Sequence, residues 1–233
     1  MMEGPSMNSD NRAAAPGEPA LSEAELRTEV HAQREELAAI LVGLSAEDWD
    51  APTLCAGWRV RELLAHVTMP FRYSTARFLG QLARSGGNFT RMADRCARRD
   101  AAALSTVELT TALKDNVDHP WKPPGGGVAG ALSHDLIHGL DLTVPLGIDW
   151  RVPEARLRVV LSQLGPKRLK YFGVDLTGVE LQADDLAWRY GSGAPLRGAG
   201  QDLLLVICGR TLPPGRLRGN AAPRFSSPGK DTA

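Results

Sequence analysis

The sequence predicts a mainly α-helical protein, an up-down four-helix bundle followed by a small α+β unit. Three observations predict it. Two capping boxes, Ser22 with Glu25 and Ser105 with Glu108, open segments whose apolar residues recur at helical spacing. A further segment places Leu132, Leu136 and Leu140 on one helical stripe. After Tyr171-Phe172-Gly173 the texture changes to short strand-like runs bounded by turn residues.

Residues 1–20, rich in Ala, Pro, Gly and Ser, read as a disordered tail. The first helix starts at Ser22, carries Leu26, Val30, Leu37, Ile40 and Leu41 on its inner side, and ends at Gly43. A turn-rich loop from Asp50 to Trp58 leads to a second helix, expected from about Arg59 to Arg84, with Val60, Leu63, Leu64, Val67, Phe71 and Phe78 as its stripe. Pro70 falls inside it and has no N–H for the carbonyl of His66, so it is either a tolerated kink or a device that opens the bundle beside His66. The third helix runs from Ser105 to near His119-Pro120, and the glycine-rich loop Pro123–Gly127 precedes a fourth from about Val128 to Leu142. Pro153 starts a fifth, interrupted at Gly165-Pro166. Val179–Leu181, Leu186–Trp188 and Ala194–Arg197 are expected as short strands, the last at a sheet edge where Pro195 is tolerable. Asp202–Cys208 reads as a short apolar helix. The expected organisation is a tail over 1–20, a helical bundle over 21–173, an α+β domain over 174–225 and a second tail over 226–233.

The chain balances 27 basic against 27 acidic residues, which removes the electrostatic footprint of a nucleic-acid or anionic-membrane partner. No apolar run approaches the roughly 20 residues of a membrane span, and the N-terminus lacks a signal-type apolar core. Cys55, Cys96 and Cys208 are too few and too scattered for a disulfide framework, which points to a cytoplasmic location. Arginine far exceeds lysine and alanine is abundant, as in a GC-rich bacterial genome.

His134 and His138 stand i, i+4 on one predicted helix, so their rings lie one above the other. With His66 from a neighbouring helix they can form a three-imidazole metal set with an open coordination position, the pattern of a catalytic site. The two histidines lie nearly opposite the leucine stripe; that side faces water in a lone amphipathic helix and lines a cleft in a bundle. Periodicity leaves both open. Cys55 is either a helix-start nucleophile or a small buried residue at the loop–helix joint. Trp58 is read as a packing anchor, and His31 and His119 as surface residues.

Three blocks in order resemble the mycothiol-dependent maleylpyruvate isomerase family. They are Leu44–Trp49 with Pro52–Val67, then His134-Asp135-Leu136-Ile137-His138-Gly139-Leu140-Asp141 with Pro145-Leu146-Gly147, and finally Ala183–Trp188, Arg197-Gly198 and Asp202–Leu205 with Gly209-Arg210. The resemblance implies a DinB-like bundle that binds a divalent metal, usually zinc, and uses mycothiol or another low-molecular-weight thiol on a small-molecule substrate. By position His66 matches the first ligand and His138 the last. His134 stands where the isomerase is similar but carries a carboxylate, and where DinB-like relatives commonly have a histidine. Three imidazoles leave one more positive charge than a His-His-Glu set, which makes the metal a stronger Lewis acid. Thr143 and Val144 replace the basic residues that members often have before Pro-Leu-Gly, which argues against a dianionic substrate.

The leading reading is a metal- and thiol-dependent isomerase or transferase, with His66, His134 and His138 as metal ligands. Asp141, one turn beyond His138, is the candidate catalytic residue, orienting a ligand histidine; its alternative role is a helix-end contact. The competing readings are a metal-dependent hydrolase on the same bundle, a non-catalytic metal-binding or regulatory module, and a member that has lost catalysis.

Overall fold

The structure, a computed structural model, describes residues 21–228. The expected tail over 1–20 and the last residues of the C-terminal one lie outside the described residues. The chain divides into two compact units, with the boundary between Leu161 and Ser162.

The first unit is helical. It contains α1 (Glu23–Val42), α2 (Ala46–Asp50), α3 (Val60–Val67), α4 (Met69–Arg72), α5 (Thr75–Arg84), α6 (Phe89–Ala103), α7 (Thr106–Lys114), α8 (Gly127–Thr143) and α9 (Glu154–Ser162). Helices α1, α8, α3 and α7 each pack on the next and close a four-membered ring, the bundle predicted from the apolar stripes. Leu37 and Leu41 of α1, Leu63 and Leu64 of α3, Leu109 and Leu113 of α7 and Leu142 of α8 form its core. Ser22 and Ser105 make their capping boxes, each hydroxyl taking the N–H of the glutamate three residues on.

Two local expectations are corrected. The helix expected from Arg59 to Arg84 is three helices. Thr68 and Pro70 end the first: the Thr68 hydroxyl turns back on the Leu64 carbonyl, and the ring of Pro70 fits only at the start of a new turn. Ser74 then caps α5 by accepting the Arg77 N–H. Helix α6, which the sequence reading passed over, packs on α3. Its buried face is Met92, Ala93, Cys96, Ala97, Asp100 and Ala101. That stripe stands against exposed Arg91, Arg95, Arg98 and Arg99, and Asn88 caps the helix by accepting the Arg91 N–H, so the signal was present in the sequence and went unread. The third bundle helix also stops at Lys114, short of His119.

Asp100 fastens α6 to the α4 segment. Buried in the protein, it accepts Arg72 Nη1 at 2.7 Å and the Tyr73 hydroxyl at 2.8 Å, and Arg99 at 2.8 Å from its own helix. Burial pushes its carboxyl up, but the hydrogen bonds from Arg72, Arg99 and Tyr73 outweigh burial and hold it below the usual range.

The second unit holds α10 (Pro166–Phe172), three strands, α11 (Gly200–Ile207) and a short 3-10 turn at Ala222–Arg224. The sheet order is β2 (Arg189–Gly191), β1 (Val179–Ala183), β3 (Ala194–Gly198); β1 runs antiparallel to β2 and parallel to β3. The second strand thus begins after the expected Leu186–Trp188, because Trp188 N–H turns back to the Leu186 carbonyl and closes the turn. Pro195 lies on an edge strand, as its missing donor requires. Helix α11 is buried all round and packs on β1 and β3. Ser227 N–H bonds the Leu212 carbonyl, so pairing continues past Phe225. Among the described residues no helix is long and apolar enough to cross a membrane.

Two predictions follow from this packing. A Cβ on Gly193, whose φ is +133°, would lie 2.2 Å from the Gly178 carbonyl carbon. Gly193→Ala is expected to destabilise the protein by more than about 1 kcal/mol in denaturant titration. For Asp100, a depressed folded pKa means that its stabilisation is complete above the unfolded value of about 3.9 and is lost as pH falls through the lower folded value. Asp100→Asn should cost about 2 kcal/mol at neutral pH and flatten the acid limb of a plot of Tm against pH.

Candidate metal centre

Helix α8 places His134 and His138 one turn apart, and the last turn of α3 supplies His66. The ring centroids are 4.7 Å apart for His134–His138, 5.0 Å for His66–His138 and 5.4 Å for His66–His134. His66 Nε2 lies 3.4 Å from His134 Nε2, and one nitrogen from each ring lies within 4.8 Å of the others. The histidine side of α8 packs against α3, with His134 and His138 half-buried while the other residues from Gly130 to Thr143 are buried. His66 is 8% exposed, so the break at Thr68–Pro70 leaves it enclosed.

Each α8 histidine has a carboxylate on its outer nitrogen. His134 Nδ1 is 2.9 Å from Asp135 Oδ1, and His138 Nδ1 is 3.0 Å from Asp141 Oδ2. An ionised carboxylate only accepts, so in both rings Nδ1 carries a hydrogen, which leaves Nε2 as the nitrogen placed to ligate. Such pairs fix ring orientation and raise ligand basicity. Asp141 is fully buried and also accepts the Cys55 thiol at 3.0 Å, while Leu54 N–H bonds the Asp141 carbonyl and docks the preceding loop on α8.

Burial and the neighbouring imidazoles hold the His66 pKa well below its ordinary value, although Asp141 opposes them. The ring is therefore neutral, the form that ligates metal. Its Nδ1 is buried with no hydrogen-bond partner. Three imidazoles, two of them with carboxylates behind them, fit a divalent, imidazole-preferring ion such as zinc. A second convergent group, Cys55, His138 and Asp141, shares residues with the first. Its atoms are already satisfied as thiol-to-carboxylate and imidazole-to-carboxylate hydrogen bonds, so it reads as the support of His138.

The structure thus brings His66, His134 and His138 together and sets Asp141 behind one of them. Several residues at the site were not singled out from sequence. Trp121 presents its ring at 5.0 Å from His134, and Trp58, read as an anchor, lies 5.1 Å from His66 with its indole N–H on Asp94 at 2.8 Å. Asp135 was legible only as the neighbour of His134, and Trp121 belongs to no periodic pattern. Cys55 is buried at the joint. His119 is corrected from surface to half-buried, its Nδ1 accepting the Trp121 N–H and its ring 5.1 Å from Phe71. His31 is outside the cluster, paired with Asp118 at 2.7 Å. Thr143 and Val144 are buried at the end of α8.

Fold and site define a helical-bundle protein with a three-histidine candidate metal centre. Residues 30–120, a segment that includes His66, match the family model described as the mycothiol maleylpyruvate isomerase N-terminal domain. A solved mycothiol-dependent maleylpyruvate isomerase is 13% identical, with 89% of this chain and 95% of that chain covered and a TM-score of 0.53. A histidine-to-alanine variant of a mycothiol-dependent maleylpyruvate isomerase is 15% identical over the same shares, with a TM-score of 0.50. At these identities the likeness is one of fold. No curated protein matches the chain.

The two overlapping residue groups make different demands. His138→Ala should abolish stoichiometric zinc uptake, measured by elemental analysis, whereas Cys55→Ala should keep it with an affinity within about tenfold of the parent.

Proposed function

We propose that this chain is a divalent-metal-dependent enzyme that uses a low-molecular-weight thiol, mycothiol by likeness to the matched family, to isomerise or transfer a group on an electrophilic small molecule. The observation that carries the proposal is the convergence of the His66, His134 and His138 nitrogens within 4.8 Å, with carboxylates on the outer nitrogens of two rings. His66, His134 and His138 would hold the ion, with zinc the best fit to the donor set. When bound, the ion supplies positive charge that favours a thiolate over a thiol and leaves a position for a non-protein ligand.

The chain's own residues set the conditions for that chemistry. Asp141 and Asp135 hold the hydrogens of His138 and His134 on Nδ1, which keeps both Nε2 lone pairs free. Three neutral ligands leave the charge of the ion uncompensated within the set. Trp58 and Trp121 stand beside His66 and His134 as apolar walls of the site. With Thr143 and Val144 in the positions where family members carry basic residues, the substrate is read as an electrophile of low negative charge.

Metal content of freshly purified protein comes first, followed by electrophile panels with and without mycothiol. Near-stoichiometric zinc and thiol-dependent turnover are the expected results. Zinc with thiol-independent hydrolysis would replace the proposal with a hydrolase. Chelation should lower Tm reversibly, since an ion at a hundredfold its Kd stabilises the folded state by about 2.7 kcal/mol. An unchanged Tm, with no metal after reconstitution, would remove the catalytic reading.

A further inference from the structure

Arg34 is 0% exposed in the middle of α1. Its Nε–H donates to Asp135 Oδ2 at 2.7 Å, and Nη1 is 2.8 Å from the His119 carbonyl, 3.2 Å from that of Val117 and 3.4 Å from that of Asn116. Its guanidinium carbon lies 4.9 Å from the centre of the Phe71 ring. Asp135 is 1% exposed and uses both oxygens, one on Arg34 and the other on His134 Nδ1 at 2.9 Å.

A buried ion pair is a poor stabilising device. Desolvation of two charges offsets most of their attraction, and apolar residues of the same volume commonly do as well. An apolar pair, however, gives the outer nitrogen of His134 nothing to bond. We infer that Arg34 and Asp135 are positioning residues for the metal centre: Arg34 locks the Asp135 carboxylate, and Asp135 holds His134 as the Nδ1–H tautomer with Nε2 directed at His66. Arg34 also binds the carbonyls of the segment leading to Trp121, so one guanidinium sets both the ligand ring and the indole beside it. Because the carboxylate is shared with a guanidinium, the support adds no net charge behind His134. This inference rests on the metal-binding reading of the three histidines.

The test uses full-length protein and zinc, with affinity measured by competition against a chromophoric chelator. Asp135→Asn is expected to weaken zinc by about 10- to 100-fold. Arg34→Met should weaken it too, and the double variant should be no weaker than Asp135→Asn alone, since both act through one carboxylate. Wild-type affinity in folded Asp135→Asn, or additive losses in the double variant, would overturn the inference while leaving the metal site standing. Absence of zinc binding by the wild type would overturn the metal reading and the inference with it. Should the variants fail to fold, imidazole nitrogen NMR of the wild type decides. A His134 ring protonated at Nδ1, with zinc on Nε2, is expected; the reverse tautomer overturns the inference.

Discussion

The helical unit depends on how a guanidinium is accommodated where α1 meets α8. Arg34 has no access to water, and an unpaired charge there would cost several kcal/mol. Carbonyls from the 116–119 segment, the Asp135 carboxylate and the face of Phe71 surround it. These partners come from the connection before α8, from α8 itself and from α4. Their simultaneous placement constrains the rotation of α8 about its axis, and with it the direction of His134.

Helix α8 is the element on which the site is built. Leu132, Leu136 and Leu140 pack at 0% exposure on one side, while the histidines project from the other under α3. Both polar partners on that helix are reached locally, His134 to the next residue and His138 to the one three further on. The cross-chain work falls to loops and short helices. The Asp50–Trp58 loop docks through Leu54 and Cys55 on Asp141, and the break after Val67 ends α3 one residue past His66. An uninterrupted helix to Arg84 would have carried the chain straight on from that ligand.

Much of this was legible in the sequence and some of it was not, for physical reasons. The helix starts at Ser22 and Ser105 rest on bonds spanning three residues, which a local pattern encodes fully. The break at Thr68–Pro70 was visible as a proline but not as an end, because a kinked continuation and a fresh helix begin alike. Helix α6 was legible and unread: Met92, Ala93, Cys96, Ala97 and Ala101 recur at helical spacing between arginines, after an Asn88 cap. In α1 the signal was present and unread: Arg34 stands between Val30 and Leu37 on the inner stripe, where a charged residue implies a buried partner.

The sequence by itself determined where the bundle helices begin, which sides are apolar, and that His134 and His138 share a face. All of these follow from hydrogen bonds and stripes within a few residues. Only the tertiary structure decided that the histidine side of α8 packs against α3, that His66 comes within 3.4 Å of a residue 68 positions away, and that Asp135 is shared with Arg34 across 101 positions. Such contacts depend on the relative rotation of packed helices, which the whole core sets at once and no local window of residues contains.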